Sequence, residues 1–77
     1  MAFISAFKAG NKSKIATHPT QVICSFSVVE FGGKRLMQLD THGSDDREFP
    51  GKLSQTLQLD EQGAADLVAI LKRSFSI

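Results

Sequence analysis

Two strand-like runs flank the dipeptide Gly32-Gly33, and this pattern constrains the fold more than any other part of the 77-residue chain. Both runs are rich in aliphatic and aromatic residues. A two-residue turn between strands requires positive φ angles, which glycine adopts without steric cost. The sequence therefore predicts a β-hairpin that extends from Gln21 to Thr41.

The turn also predicts which residues face each other across the hairpin. When Phe31 is opposite Lys34, alternate pairs fall on the same face of the ribbon. We expect one face to be the apolar core face, with Cys24 as a small buried residue. A shift of one residue would move every side chain to the other face, so turn and pattern support a single register. The core face is expected to carry Val28 with Met37, Phe26 with Leu39, and Cys24 with Thr41, and to be closed near the turn by Glu30 with Arg35.

The opposite face of the hairpin, called the polar face below, mixes polar and apolar side chains. These side chains are too polar for a dry core, because a buried polar group without a partner costs free energy. The polar face is therefore a candidate contact surface. It carries Ser25, Ser27, Gln38, Asp40 and Lys34, with Val29, Leu36 and Phe31 among them.

The length of the chain predicts one domain, residues 1–77, that buries a smaller fraction of its surface than a larger protein does. Hydrophobic residues make up 42% of the chain, which is typical of globular proteins. We expect a homodimer, because shared apolar surface compensates for a thin core.

One cysteine cannot form an internal disulfide, no apolar run is long enough to span a membrane, and the N-terminus lacks a signal-peptide pattern. These features predict a cytoplasmic protein without a membrane partner.

Charge is distributed unevenly along the chain. Nine Lys and Arg residues against eight Asp and Glu residues give a formal net charge of +1, so charge alone cannot make this protein coat nucleic acid. Residues 1–20 nevertheless contain Lys8, Lys12 and Lys14 and no acidic residue. This segment is expected to be a basic N-terminal arm or an edge strand, with a solvated connection as the alternative for its later part.

The residues after the hairpin predict a loop followed by another strand. Turn-forming residues fill Thr41 to Gly51, and Leu53 to Leu59 then alternates between apolar and polar side chains. The expected fold class is α+β, with a curved antiparallel sheet at residues 21–59 backed by one C-terminal helix in a dimer.

The C-terminal residues 60–76 have the pattern of an amphipathic helix. Asp60 fits the N-cap, and basic residues near the C-terminal end favour the helix dipole. Ile70 lies off the main apolar stripe, which indicates a contact with the helix of a second subunit. We therefore expect Ile70, Leu67 and Leu71 at a dimer interface. The stripe itself consists of Ala64, Leu67, Val68, Leu71 and Phe75.

The order of these elements resembles the positive cofactor four family of transcriptional coactivators and their bacterial and phage relatives. Phe31-Gly32-Gly33-Lys34-Arg35-Leu36-Met37-Gln38-Leu39-Asp40 is similar to the second and third strands of the family around a Gly-Lys turn. Pro50-Gly51-Lys52 and the following Ser54 to Asp60 are similar to its Pro-Gly-Lys loop, fourth strand and helix cap. The resemblance covers about the last two-thirds of the chain and rests on the order and spacing of these motifs.

The resemblance implies a homodimer that binds single-stranded DNA, or RNA, without sequence preference on a sheet face. It places Lys34 and Lys52 as phosphate contacts, Arg35 and Arg47 as additional contacts, and Phe31 as a stacking platform. It also implies a protein partner in transcription or replication. The chain differs from the family before the turn, where Val29 and Glu30 stand in place of basic residues.

Other chemistry is less well supported by the sequence. His42 with Asp40, Asp45 and Asp46 could ligate a metal, but such a cluster in a Gly-Ser loop is more often solvated turn chemistry. There is no phosphate-binding glycine loop and no zinc-ligand spacing, so we expect no cofactor, no metal and no enzymatic activity. The alternative to nucleic-acid binding is a small dimeric protein-interaction module.

Overall fold

The structure is a computed structural model that describes residues 1–42 and 53–77. It contains the strands β1 (Ala2–Phe3), β2 (Ile23–Phe31), β3 (Lys34–His42) and β4 (Leu53–Asp60), followed by the helix α1 (Glu61–Phe75). The four strands form one sheet in the order β1-β4-β3-β2. The predicted α+β class with one C-terminal helix is confirmed.

The sheet is mixed, so the expectation of a wholly antiparallel sheet is wrong in one respect. β2 pairs antiparallel with β3, and β3 pairs antiparallel with β4, whereas β1 lies parallel to β4. In the parallel pair Ala2 is opposite Leu57, and the amide of Ile4 extends the pairing by donating a 2.9 Å hydrogen bond to the carbonyl of Gln58. Within residues 1–20, only Ala2 and Phe3 form a strand.

The hairpin has the predicted turn and register. Gly32 and Gly33 adopt φ angles of 59° and 78°, in the left-handed region that a two-residue turn of this type requires. The partners run from Phe31 opposite Lys34 to Ile23 opposite His42 without interruption. All the cross-strand pairs expected from the sequence are therefore confirmed.

The helix begins where the sequence predicts. The carboxylate of Asp60 accepts a 2.8 Å hydrogen bond from the amide of Gly63, which satisfies one of the free amides of the first turn. Gly63 is buried, and a Cβ added to it would lie 3.3 Å from the carboxylate oxygen of Asp60 that caps the helix, and 3.6 Å from Leu59. The missing side chain thus leaves room for the capping carboxylate against the first turn of α1.

The core lies where α1 covers β4 and β3. Leu59 is 2% exposed and is the one buried hydrophobic side chain among the described residues. It is opposite Met37 on β3, on the apolar face of the sheet. The helix contacts β3 and β4 but makes no comparable contact with β2.

The expectation that the apolar face of β2 is buried is wrong. Phe26 is 71% exposed, Val28 is 53% exposed, and Cys24 is exposed rather than a buried core residue. The physical reason is the strand order, because β2 is an edge strand beyond the reach of α1.

No helix in the described part of the chain is long and apolar enough to cross a membrane.

Candidate functional site on the polar face of the sheet

Asp40 is the centre of a hydrogen-bonded network on the polar face. Its carboxylate accepts a 2.7 Å hydrogen bond from the hydroxyl of Thr56 and bonds of 3.1 and 3.2 Å from the amide nitrogen of Gln38. The side chain of Gln58 in turn donates a 3.0 Å bond to the carbonyl oxygen of the Gln38 side chain. The network joins β3 to β4, and Thr56 within it is only 8% exposed.

The hydrogen bonds of the network favour the ionised form of Asp40. The hydrogen bond from Thr56, and then that from Gln38, hold the pKa of the Asp40 carboxyl below its ordinary value of 3.8, because both bonds favour the charged form. Charge on His42 acts in the same direction to a smaller extent. The middle of the polar face therefore carries a fixed negative charge at neutral pH.

Ser25 and His42 form a second polar contact beside Asp40. The hydroxyl of Ser25 lies 3.0 Å from Nε2 of His42 and 3.5 Å from the backbone carbonyl of Asp40. Nδ1 of His42 is buried and has no hydrogen-bond partner among residues 1–42 and 53–77. A serine activated for nucleophilic attack requires its histidine to be oriented by a third group, and the described residues supply none at this nitrogen.

Phe31 and Lys34 lie at the turn end of the polar face. They are direct partners across the hairpin, and both are exposed, with Phe31 74% exposed. Direct partners on one face of an antiparallel pair have Cβ atoms about 4.5–5.5 Å apart, so the two side chains start from neighbouring points on the same face. The structure thus brings together two of the residues that the sequence singled out.

Arg35 lies on the other face of the hairpin. It is opposite Glu30, as expected, but its guanidinium group forms an ion pair of 3.5 Å with Glu61 in the first turn of α1. Both side chains are about two-thirds exposed, at 65% and 66%. Arg47 and Lys52 lie outside the described residues.

The remaining predicted site residues are dispersed. Lys8, Lys12 and Lys14 are exposed in the irregular segment between β1 and β2. On α1, Leu67, Ile70 and Leu71 are partly buried within the protomer. The expected dimer interface on the helix therefore offers less free apolar surface than the exposed side chains of β2.

A small hollow of about 150 Å³ lies where α1 begins, near the turn end of the sheet. Its volume is below the roughly 300 Å³ at which pockets for drug-sized ligands begin. The hollow is lined by Val28, Leu36, Met37 and Ala64, with Arg35, Asp60 and Glu61.

No group of three or more His, Cys, Asp or Glu residues among the described residues is placed to hold a metal ion. Asp45 and Asp46, considered above as ligands with His42, lie outside that part of the chain.

Sequence reasoning missed the network around Asp40. Each strand pattern indicates the face of its own residues, but the contact of Thr56 with Asp40 depends on the register between β3 and β4. That register follows a long connection rather than a two-residue turn, and it contains an irregularity between Thr41 and His42. The alternation of polar residues in β4 was the available signal.

No protein family, curated protein or solved structure matches the chain.

Proposed function

We propose that the protein binds single-stranded nucleic acid at the turn end of the polar face. The observation that carries the proposal is the direct pairing of Phe31 with Lys34, both exposed on one face of the hairpin. An exposed ring stacks on an unpaired base, which contributes about 1–3 kcal/mol per base, while an adjacent ammonium group contacts the phosphate. In a duplex the bases are already stacked on each other, so the flexible single strand is the preferred ligand.

The charge of the polar face limits where the single strand of nucleic acid lies. The ionised carboxylate of Asp40 repels phosphate from the middle of the face, so the phosphates are expected near the turn, beside Lys34. A net charge of +1 adds little long-range attraction. The affinity is therefore modest, and its dependence on salt is shallow, about −0.7 in log–log slope for each neutralised phosphate.

The resemblance described above supplies the remaining parts of the proposal. It adds Lys52, Arg35 and Arg47 as further contacts and a homodimer as the binding unit. It also suggests a role in transcription, or with single-stranded intermediates of replication and repair. The lysines of residues 1–20 would add attraction if that segment acts as an arm.

A titration of a labelled single strand and of its duplex at low salt tests the proposal. Phe31→Ala and Lys34→Ala are each expected to weaken binding of the single strand about tenfold, as loss of one stacked base or one phosphate contact implies. Phe75→Ala and Lys72→Ala are matched controls, because both residues are exposed on α1, and neither change should alter binding. Failure of the wild type to bind, or equal affinity for all five proteins, would contradict the proposal.

A second candidate function is a protein-interaction module. The observation that favours it is the exposure of Phe26 and Val28 next to each other on the apolar face of β2. Adjacent exposed apolar side chains of this kind often mark a surface for another protein. An unchanged nucleic-acid titration for Phe31→Ala and Lys34→Ala would favour this candidate over the first.

A further inference from the structure

The outer edge of β2 is open. β2 is the last strand of the sheet, and among residues 1–42 and 53–77 its backbone pairs with β3 alone. All nine of its residues are exposed. An unpaired strand of this length presents a row of amide and carbonyl groups to another strand.

The hairpin determines which backbone groups face outward. A two-residue turn is closed by a hydrogen-bonded pair, here Phe31 with Lys34, so residues 31, 29, 27, 25 and 23 bond to β3. The alternate residues direct their amide and carbonyl groups away from β3, toward the open edge. These outward residues are Cys24, Phe26, Val28 and Glu30.

The edge has few of the features that prevent strand association. Edge strands are commonly protected by proline, lysine, a bulge or a short length. β2 contains no proline and no lysine, it is nine residues long, and its pairing with β3 is regular throughout. Its one charged residue is Glu30 near the turn. The opposite edge of the sheet differs, because it is formed by the two-residue strand β1.

We propose that two copies of this chain pair through antiparallel β2 strands, about a two-fold axis at Ser27, to form one continuous eight-stranded sheet. The proposal does not depend on nucleic-acid binding. In this register Phe26 is opposite the partner's Val28, and Ser27 is opposite the partner's Ser27. The apolar faces of the two sheets join, so both helices lie on the same side.

Hydrogen bonding and side-chain chemistry both select this register. An outward-facing residue of one copy must pair with an outward-facing residue of the other. All outward-facing residues have even numbers, so the numbers of two residues that face each other must add up to an even number. Among such registers, the one with its two-fold axis at Ser27 pairs all nine residues of each β2 strand. It places Phe26 and Val28 of both copies in one cluster of four apolar side chains. It also separates the two Glu30 residues by about 20 Å along the strands, so no like charges meet.

The surface area of the chain is consistent with a second copy. The chain exposes 6882 Å², whereas a compact monomer of 8.4 kDa exposes about 4600 Å². Residues 8–22 before β2 and all nine residues of β2 are exposed. A standard interface buries about 800 Å² per partner, which the excess can supply. The net charge of +1 opposes association only weakly.

Site-specific crosslinking provides the first test. Ser27→Cys in a Cys24→Ser background is expected to form a covalent dimer under mild oxidation, because the two Cα atoms at the axis would lie about 4.5 Å apart, within disulfide range. Ser25→Cys in the same background is the matched control. That residue is exposed on the same face of the same strand, but its copies would be about 13 Å apart. Equal crosslinking at both positions, or none at Ser27→Cys, would overturn the proposal.

Sedimentation without nucleic acid provides the second test. The wild type is expected to sediment at twice 8.4 kDa, and Val28→Pro at 8.4 kDa. Proline at this position removes an outward-facing amide but no hydrogen bond to β3, and circular dichroism would confirm that the protomer remains folded. A monomeric wild type, or a dimer that survives Val28→Pro but dissociates in Ile70→Asp, would refute pairing at β2. The latter result would place the interface on the helix instead.

Discussion

The hydroxyl of Thr56 donates a 2.7 Å hydrogen bond to the carboxylate of Asp40 across strands β4 and β3. This bond is the largest contribution to the lowered pKa of Asp40, ahead of the bond from Gln38. It places a charged group at the point where two strands that are distant in sequence meet. The polar face is thus held together by hydrogen bonds that are stronger when the carboxylate is ionised.

Thr56→Val is expected to raise the pKa of Asp40 toward its ordinary value of 3.8. The substitution keeps the shape of the side chain and removes the donor. An NMR titration of the Asp40 carboxyl measures the change directly. Thr41→Val is the matched control, because its hydroxyl accepts from the amide of Gln55 and does not touch Asp40. A similar shift in both variants, or in neither, would contradict the assignment.

The same bond predicts a change of stability with pH. Because the pKa of Asp40 is lower in the folded state than in the unfolded state, the contribution is complete above about pH 3.8 and is lost as the pH falls through the folded value. The difference in unfolding free energy between the wild type and Thr56→Val should therefore shrink in acid. Denaturation with urea at neutral pH and at a series of pH values below 3.8 would measure it. A difference that stays constant with pH would show that the bond does not depend on the charge.

Leu59→Ala is expected to destabilise the protein by about 2–5 kcal/mol, the usual range for truncation of a buried leucine. Leu59 lies on β4 beneath α1 and is 2% exposed, so its removal leaves a cavity. Leu57→Ala is the matched control on the same strand and the same face, and it should cost less because Leu57 is 38% exposed. Urea denaturation of the three proteins would compare them. Equal losses would mean that α1 covers both positions to the same extent.

Gly33→Ala is expected to destabilise the hairpin by about 1–2 kcal/mol, because an L-residue with a side chain resists the left-handed region. Gly33 has a φ of 78°. Gly32→Asn is the comparison, since asparagine is favoured at the first central position of this turn and should destabilise the protein less than Gly33→Ala does. Thermal unfolding would rank the variants. A tolerated Gly33→Ala would be evidence against the observed turn.

Much of the fold was predictable because its signals are local. The hairpin register depends on Gly32-Gly33 and on alternation within about 20 residues, and every predicted pair is present. The start of α1 follows from Asp60 as an N-cap. The adjacent exposed pair of Phe31 and Lys34 follows from the same register, since the turn alone determines which residues are opposite each other.

The sequence by itself determined the helix, the hairpin and the face on which each strand residue lies, because turn chemistry and periodicity act over a few residues. Only the tertiary structure decided which of those faces is covered. Strand order places β2 at the edge, where Cys24 and Phe26 are exposed, and it places β1 parallel to β4. Burial and the contact of Thr56 with Asp40 depend on how elements far apart in the chain pack together, and a pattern within one element carries no information about that packing.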